Sequence, residues 1–405
     1  MGHLLGTARH YHRRAWRWWR VAREGRLTAT LRRPRRVGDG DARLQRRALV
    51  VRLDAIGDFV LWTGAARALR EWLGPQTKVT LAANAVWADL ARTQEVADEV
   101  WPVERQALEW DGAYRDALRA RVTQGQFDIA INPRWTREMM LADSVIRWSG
   151  APERIGLVGD DMLLPPNERR VADRWYTALH DLSPLPNHES ERHAAFLRAI
   201  GVGVPSVPIP RLLDAPTDAT ASHDRPYFVV SPGASLPHHR WPAERFAQLS
   251  RAVAERTGWR AVVVGDASEG DIAAQVAAAM PDARNSAGAT SLDALVTLIR
   301  GARLVLTNDT AAVHIAAATG AHAVCLGGGW HWERFVPYPA TLGPVADTVH
   351  TVSVADEMSC FRCRGYCSVP HPAGGPRPCL ERISVARALE TVERVLSLPD
   401  LNADG

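Results

Sequence analysis

The sequence predicts an α/β protein made of two Rossmann-like, doubly wound domains, and three observations support this prediction. From residue 47 onward, short apolar runs alternate with segments of helical periodicity, which is typical of parallel sheets covered by helices. The stretch 204–226 is rich in proline and small polar residues, as linkers are. With 405 residues, 46% of them hydrophobic, the chain is long enough to bury two cores.

The individual elements follow from these local patterns. Before the linker, the predicted strands are 47–53, 78–82, 99–103, 127–132 and 153–158, and the predicted helices are 58–73, 110–124, 139–149 and 189–200. After it, the predicted strands are 227–231, 260–265, 303–308 and 321–327, and the predicted helices are 242–257, 269–280, 291–300, 310–319 and 381–396.

The chain accordingly divides into six predicted parts. They are a basic Arg- and Trp-rich segment (1–46), an N-terminal Rossmann-like domain (47–210), a linker (211–226), a C-terminal Rossmann-like domain (227–357), a Cys-rich loop (358–380) and a C-terminal helix with a tail (381–405). Ligands of doubly wound sheets bind beyond the carboxyl ends of the strands. We therefore expect the chemistry in a cleft that the two domains face.

The formal charge of +4 is unevenly distributed along the chain. Residues 1–47 hold 14 of the 49 Lys and Arg but only three of the 45 Asp and Glu, so they carry +11 and the remaining residues carry −7. Nucleic-acid binding needs cations clustered on the folded surface. The acidic body therefore predicts that no nucleic acid is a partner.

The basic segment mixes arginines with tryptophans, a composition that suits a helix lying on anionic lipid. These residues are Arg13, Arg14, Trp16, Arg17, Trp18, Trp19 and Arg20. The glycines and the proline that follow fit a disordered basic arm as well. The segment has no apolar run long enough for a signal peptide or a membrane span. We expect a cytoplasmic protein, with peripheral contact to the inner face of the inner membrane.

The first strand-to-helix turn carries Asp58 where Rossmann turns usually carry glycines. Asp58 fits two roles: it can cap the helix, or it can act as a general base toward a substrate hydroxyl at the edge of the sheet. An ionised Asp already offsets the positive end of the helix, so the turn is poorly suited to phosphate. The G-x-G-x-x-G fingerprint is also missing, which argues against a dinucleotide oxidoreductase.

Two turns of the second series have features of a phosphate site. The loop 231–235 consists of small residues with free backbone N–H groups, and the cationic stretch 238–240 follows it. The strand that ends at Asn308 delivers Asp309 to the start of a helix, whose first amides form an anion site. An ordinary Asp cap explains this last turn equally well when it is considered alone.

Taken together, these stretches resemble glycosyltransferase family 9, the bacterial ADP-heptose:lipopolysaccharide heptosyltransferases and their relatives. The matching segments are VVRLDAIGDFVLWTGAARALRE, VVSPGASLPHHRWPAERFAQL, VVVGD and RLVLTNDTAAVHIAAATGAHAVCLGG, in the family's order across most of 48–395. The resemblance implies a GT-B fold, with an acceptor-binding N-terminal domain and a donor-binding C-terminal domain.

The resemblance also implies roles for individual residues. Asp58 is the implied catalytic base, Asp309 meets the hydroxyls of the donor sugar, and His314 lies at the donor phosphate. The full implied donor-binding set is Ser231, Gly233, Ala234, Ser235, His239, Arg240, Gly265, Asp309, Thr310, Ala311 and His314. The donor is expected to be ADP-heptose or another nucleotide sugar, and the acceptor a lipid-linked or surface glycan.

Three departures from the family pattern bear on the donor. Relatives often carry Lys where His239 stands, so the cation here would be Arg240 or a protonated His239. Ala311 stands where many relatives have Gly. The loop after the last strand of the match is unusually aromatic, with Trp330 and Trp332.

The implied reaction is inverting transfer without an obligatory metal, because no DxD-type pair lies near residues 308–310, which we call the donor turn. Acceptor contacts are expected in the least family-typical stretch, 163–193, where Arg169, Arg170 and Arg174 suit an anionic glycan. Two alternatives remain open. A protein O-heptosyltransferase of the autotransporter type would use a polypeptide acceptor, and a non-catalytic scaffold would only bind sugar nucleotides.

Four of the five cysteines follow the spacing C-x2-C-x3-C-x11-C. They are Cys360, Cys363, Cys367 and Cys379. Four thiolates in one loop suit a structural Zn or a single Fe, and four reduced thiols in a reducing cytoplasm fit the spacing equally well.

Overall fold

The computed structural model describes residues 45–214, 225–372 and 374–402. The predicted basic segment, apart from its last two residues, and most of the predicted linker lie outside these ranges. Within the described residues, no helix is both long and apolar enough to cross a membrane.

The strands form two six-stranded parallel sheets. The first contains β1 (Arg46–Arg52), β2 (Thr77–Asn84), β3 (Glu99–Val103), β4 (Ile129–Ile131), β5 (Glu153–Leu157) and β6 (Ala178–His180). The second contains β7 (Tyr227–Ser231), β8 (Arg260–Val263), β9 (Arg284–Asn285), β10 (Val305–Asn308), β11 (Ala323–Leu326) and β12 (Val349–Val352).

Both sheets have the Rossmann strand order. The first runs β3-β2-β1-β4-β5-β6 and the second β12-β11-β10-β7-β8-β9, so each reads 3-2-1-4-5-6 in its own numbering. The order reverses between β1 and β4 in the first sheet and between β7 and β10 in the second. In the second sheet, Thr307 of β10 lies between Ser231 of β7 and Cys325 of β11. The turns after β7 and β10 thus meet at the point where such sheets bind ligands.

Helices connect the strands. They are α1 (Ile56–Leu73), α2 (Ala88–Arg92), α3 (Arg105–Trp110), α4 (Gly112–Gln124), α5 (Ser144–Trp148, preceded by the π-turn Met139–Asp143), α6 (Pro166–Ala172), α7 (Glu189–Ala199), α8 (Ala243–Thr257), α9 (Gly270–Ala277), α10 (Leu292–Arg300), α11 (Ala311–Thr319), α12 (Pro344–Asp347), α13 (Pro378–Glu381), α14 (Val385–Leu396) and α15 (Pro399–Asn402). Short 3-10 turns lie at Ala85–Trp87, Asp173–Trp175, Pro237–His239, Ala267–Glu269 and Ala340–Leu342.

Two predicted helices are divided in the structure. Asp111 interrupts the predicted helix 110–124, because its side chain accepts hydrogen bonds from the amides of Ala113 and Tyr114 and caps α4. The predicted helix 381–396 is likewise two helices, since Ser384 accepts a hydrogen bond from Arg387 N and starts α14 anew. These short polar side chains offer backbone N–H groups an alternative to a continuous helix.

Each sheet has its own core. Strands β4, β7 and β10 are buried along their whole length, and β1 is buried from Ala48 onward, so the buried residues are consecutive instead of alternating. In the first core, β1 and β4 meet Trp148 and Trp175, and in the second, β7 and β10 meet Trp241. Trp241 is fully buried and its indole N–H donates to Ile383 O at 3.0 Å, which ties the segment before α14 to the second core.

Contacts group the described residues into two compact units. The first consists of 45–53, Arg70–Ala88 and Ala97–Pro184, and the second of Asp54–Leu69, Asp89–Val96 and the described residues from 185 to 402. The turn after β1, with Asp58, therefore belongs to the same unit as the second sheet.

Candidate active site

Asn308, the last residue of β10, joins the two turns at the reversal point of the second sheet. It is fully buried, and its Nδ2 donates to the carbonyls of Pro232 and Gly233 at 2.8 and 3.1 Å. Its Oδ1 accepts from Trp241 N at 2.9 Å. Three hydrogen bonds, two to carbonyls of the loop 231–235 and one from Trp241 N, thus converge on the side-chain amide at the end of β10.

The helix after this turn, α11, has an N-terminus suited to an anion. Thr310 is its N-cap residue, and its side chain makes no capping bond to the first amides. Residues 312–318 are buried, so packing holds the helix in place, whereas residues 309–311 at its N-terminus are partly exposed. Backbone N–H groups held in this way, together with the helix dipole, attract phosphate oxygens.

The turn after β1 packs directly on α11. A Cβ atom at Gly57 would lie 2.7 Å from His314 Cδ2 and 3.6 Å from Ala311 Cα. Only glycine fits there without movement of the buried imidazole. The neighbouring Asp58 lies in the first turn of α1, two residues after the helix begins at Ile56, so it is not the N-cap residue.

Asp58 and Asp309 are close enough to repel each other. Burial, together with the charge of Asp58, raises the pKa of Asp309 to about 7. One carboxylate oxygen of Asp309 is buried without a hydrogen-bond partner. A carboxyl group with a pKa of about 7 beside a second carboxyl group can take up and release a proton at neutral pH, which is a property of acid/base centres.

His314 is held by a tyrosine from a distant part of the chain. Its Nδ1 lies 2.8 Å from the hydroxyl of Tyr338, and both side chains are buried. Burial, together with His188 and His331, lowers the pKa of His314 to about 3. The imidazole is therefore neutral at physiological pH.

The position that carries Lys in many relatives is uncharged here. The ring of His239 stacks on Trp330 with centroids 4.0 Å apart. Burial, together with Arg377, lowers the pKa of His239 to about 3. Of the two candidate cations, Arg240 and a protonated His239, the lowered pKa favours Arg240, because desolvation and a neighbouring guanidinium both disfavour the charged ring of His239.

Two arginines supply positive charge near this loop. Arg240 donates to Ala234 O at 2.9 and 2.7 Å and lies 4.0 Å from Glu269. Arg377, which the sequence did not suggest, is buried above Trp330 at 5.3 Å and bonds Gly365 O, while its Nε and Nη1 have no partner. Sequence spacing gave no signal for Arg377, because it lies more than 130 residues from the loop.

The rest of the predicted donor set lies around the same loop. Gly233 and Gly265 both approach Glu269, whose carboxylate would be 2.1 and 2.9 Å from a Cβ at each. Ser231 and Ala234 are buried, whereas Ser235 is exposed. Glu269 accepts from Asp266 N at 3.0 Å, and burial raises its pKa.

The predicted acceptor arginines lie in and just after α6, and they differ in exposure and in the hydrogen bonds that the structure shows for them. Arg169 donates to the carbonyl of Val158 at 2.5 Å and to Asp161 at 2.7 Å, so its guanidinium holds the loop after β5. Arg170 and Arg174 are exposed. Only these two can reach a ligand without breaking internal bonds that the structure shows.

The cysteines do not assemble a metal site in this structure. Cys360, Cys363, Cys367 and Cys379 line one small cavity. Yet no group of three or more His, Cys, Asp or Glu side chains among the described residues is arranged to hold a metal ion. Burial raises the pKa of the Cys379 thiol, and the nearby thiols act in the same direction. The arrangement therefore does not fit the predicted zinc or iron, which needs several thiolates converging on one point.

A family model for glycosyltransferase family 9 (heptosyltransferase) matches residues 115–364, well over half of the chain. The chain belongs to this family. Lipopolysaccharide heptosyltransferase 2 of Salmonella typhimurium is 27% identical over 303 residues, which cover 69% of this chain and 82% of that protein.

Solved structures of family 9 enzymes share the fold. The ADP-heptose lipopolysaccharide heptosyltransferase II of Escherichia coli superposes with a TM-score of 0.62 at 20% identity, over 89% of this chain and all of that one. The E. coli heptosyltransferase WaaC, solved with ADP-2-deoxy-2-fluoro heptose, has a TM-score of 0.62 at 17% identity, over 86% of this chain and 99% of that one. The predicted GT-B fold is confirmed, and the protein is a glycosyltransferase of family 9.

Proposed function

We propose that this family 9 enzyme is an inverting glycosyltransferase that moves heptose from ADP-heptose to a sugar of the lipopolysaccharide core. The observation that carries the proposal is the packing of the Asp58 turn on α11, where a Cβ at Gly57 would lie 3.6 Å from Ala311 Cα, so that Asp58 lies close to Asp309 at the donor turn. Displacement at an anomeric carbon needs a base within reach of the bound donor. The matched relatives are lipopolysaccharide heptosyltransferases, which supports heptose as the sugar.

In the proposed reaction, the Asp58 carboxylate accepts the proton of an acceptor hydroxyl. The hydroxyl oxygen forms a bond to the anomeric carbon from the face opposite the phosphate, so the configuration inverts. The bond from the anomeric carbon to the phosphate oxygen breaks, and its electron pair leaves with ADP. The amides of Thr310 and Ala311 and the guanidinium of Arg240 are proposed to stabilise the charge that develops on the diphosphate.

The first test of this mechanism is transfer by an Asp58→Asn variant. We expect turnover to fall by at least about a hundredfold, as loss of a general base does, while ADP affinity stays within about threefold of wild type. Asp347→Asn, which removes an exposed carboxylate of α12, is the control and keeps full turnover. Near-normal turnover of the Asp58 variant would refute the base role, and a wild-type enzyme without any transfer activity would favour a scaffold.

The nucleotide is tested by thermal melting of the wild-type enzyme with ADP, UDP and GDP. A ligand at 100 times its dissociation constant adds about 2.7 kcal/mol of stability. We expect such a shift with ADP alone. A shift confined to UDP or GDP would overturn ADP-heptose as the donor and leave the fold and the base unaffected.

For the acceptor, we propose that the domain 47–210 binds an anionic core glycan and the domain 227–357 binds the donor. The exposed Arg170 and Arg174 are the proposed acceptor contacts, whereas Arg169 acts by holding the loop after β5. The double variant Arg170→Ala, Arg174→Ala is expected to raise the acceptor KM about tenfold with donor affinity unchanged. An unchanged acceptor KM would move the acceptor site elsewhere.

We also propose that the enzyme works on the cytoplasmic face of the inner membrane, where residues 1–46 contact anionic lipid. The support is the composition of this segment, in which Trp16, Trp18 and Trp19 lie among arginines. The full chain should sediment with vesicles of anionic phospholipid and not with zwitterionic ones. A variant with the three tryptophans changed to serine should bind less, and equal binding by the variant would contradict the proposal.

A further inference from the structure

Tyr338, in the loop after β11, contacts His314 of the helix α11 that follows the donor turn. We propose that the Tyr338 hydroxyl donates a hydrogen bond to His314 Nδ1 and thereby keeps the ring proton on Nε2, which faces the Asp58 turn and the donor phosphate. This makes Tyr338 a positioning residue, because it acts through His314. The inference rests on the proposed function, since it assigns the hydrogen-bond donor that the diphosphate meets.

The geometry of the pair is well defined. The hydroxyl oxygen lies 2.8 Å from Nδ1, and the two rings stack with an interplanar angle of 18°. Tyr338 is 8% exposed and His314 4% exposed, so water does not compete for the bond. A hydrogen bond of this length in a dry site determines which way the imidazole points.

Tyr338 is itself fixed by a second histidine. The ring of His188 meets it edge to face, with centroids 5.2 Å apart. His188 Nδ1 accepts from Ser190 N at 3.2 Å, so its proton is on Nε2 and points to Phe335 O, 3.2 Å away. Tyr338 therefore lies against a side chain whose orientation is set by two backbone groups.

The opposite edge of the His314 ring faces the Asp58 turn. A Cβ at Gly57 would be 2.7 Å from Cδ2 and 3.5 Å from Nε2 of His314. The Nδ1 edge is occupied by Tyr338, so Nε2 is the nitrogen available to a ligand at the N-terminus of α11. The ring thus connects Tyr338 on one side with the donor turn on the other.

Chemistry decides which partner donates. Burial keeps the imidazole neutral, with a pKa lowered to about 3, and raises the pKa of the Tyr338 phenol so that it stays protonated. A neutral imidazole has one N–H and one lone pair. If Nδ1 carried the proton, the Nε2 lone pair would face the turn after β1, which holds Asp58 and lies close to Asp309. With the proton on Nε2, the ring instead offers a donor to the oxygens of a bound diphosphate, which accept hydrogen bonds.

The tautomer can be read directly in the ligand-free full-length protein. Histidine labelled with ¹⁵N reports which ring nitrogen carries the proton, and the His314 signals are identified by their absence in His314→Gln. We expect Nε2–H in the wild-type protein. Protonated Nδ1 would overturn the proposal, whether or not the protein binds a nucleotide.

The effect on the donor site is measured by ADP titration of Tyr338→Phe. Without the hydroxyl, the His314 ring loses the hydrogen bond that orients it, so a smaller fraction of the protein presents Nε2–H to the ligand. We therefore expect the apparent Kd for ADP to rise about fivefold. Tyr227→Phe is the matched control, because it removes another hydroxyl, which donates to Leu298 O at 2.8 Å in the same unit. We expect the Kd of the control to stay within about twofold of wild type.

An unchanged ADP Kd in Tyr338→Phe would refute the positioning role, as would an equal loss in both phenylalanine variants. A wild-type protein that does not bind ADP at all would refute the proposed function instead. In that event, the tautomer of His314 still decides whether Tyr338 directs the ring proton.

Discussion

The raised pKa of Asp309 predicts an unusual dependence of stability on pH. Its pKa rises from 3.8 to about 7 on folding, because burial and the Asp58 charge disfavour the carboxylate. Between these values the folded protein binds a proton that the unfolded chain has lost. Stability from this group therefore falls as the pH rises from about 4 to about 7 and is constant above. Asp309→Asn cannot ionise and escapes this loss.

The size of the effect follows from the same difference. At 1.36 kcal/mol per pH unit, the shift of Asp309 corresponds to about 4 kcal/mol, which partial exposure of the side chain reduces to about 2 kcal/mol. About half of this, roughly 1 kcal/mol, is lost between pH 5 and pH 8. The Tm of the Asn variant relative to wild type should therefore be about 1 °C higher at pH 8 than at pH 5, since a chain of this length has an unfolding entropy of about 0.85 kcal/mol/K.

Thermal melting of both proteins at the two pH values measures this directly. The same comparison in an Asp58→Asn background should give a smaller gap, because one of the two causes is removed. An equal Tm difference between wild type and Asp309→Asn at pH 5 and pH 8 would refute the argument. It would mean that Asp309 is ionised in the folded protein throughout this range.

Three further predictions concern the packing around the donor turn. Gly57→Ala should lower turnover at least about tenfold with little change in Tm, because a Cβ 2.7 Å from His314 Cδ2 displaces the imidazole ring. Normal turnover of this variant in a steady-state assay would contradict the prediction. Asn308→Asp should destabilise the fold by about 3 kcal/mol in urea unfolding, since a carboxylate would face two carbonyl oxygens; a stability equal to wild type would contradict the role given to this amide. Arg377→Met should raise the pKa of His239 in an NMR titration, because a neighbouring positive charge is removed, and an unmoved pKa would show that burial alone is responsible.

The sequence predicted the parts of this molecule that depend on local pattern. Strand β7 begins and ends where predicted, at 227 and 231, because a continuous apolar run between turn residues defines a buried parallel strand. The edge strand β3 also has its predicted bounds. Short edge strands such as β9, with two exposed residues, have no such pattern and were missed. The same is true of β6 and β12, whose residues are largely only half buried.

The residues of the candidate site also include some that the sequence predicted and some that it did not. Asp58 and Asp309 stand in turns with a recognisable sequence, so each could be named before the fold was known. Their mutual repulsion could not be predicted from the sequence, because 251 residues separate them and the packing of Gly57 on α11 brings the two turns together. Tyr338 and Arg377 were missed for a similar reason, since an aromatic or basic residue in a loop carries no sign of what it contacts.

The histidines near the donor turn explain why the charge of this site must come from elsewhere. Burial lowers the pKa of His188 and His331 to about 4 and that of His239 and His314 to about 3, so all four rings are neutral at physiological pH. A neutral ring donates a hydrogen bond without adding a cation that would hold the departing diphosphate too tightly. With so low a pKa it is also a weak base and is poorly suited to accept the proton of an acceptor hydroxyl. Among these groups, Asp309 alone has a pKa of about 7, so we expect a change of activity through neutral pH to follow the ionisation of Asp309 and not that of the histidines.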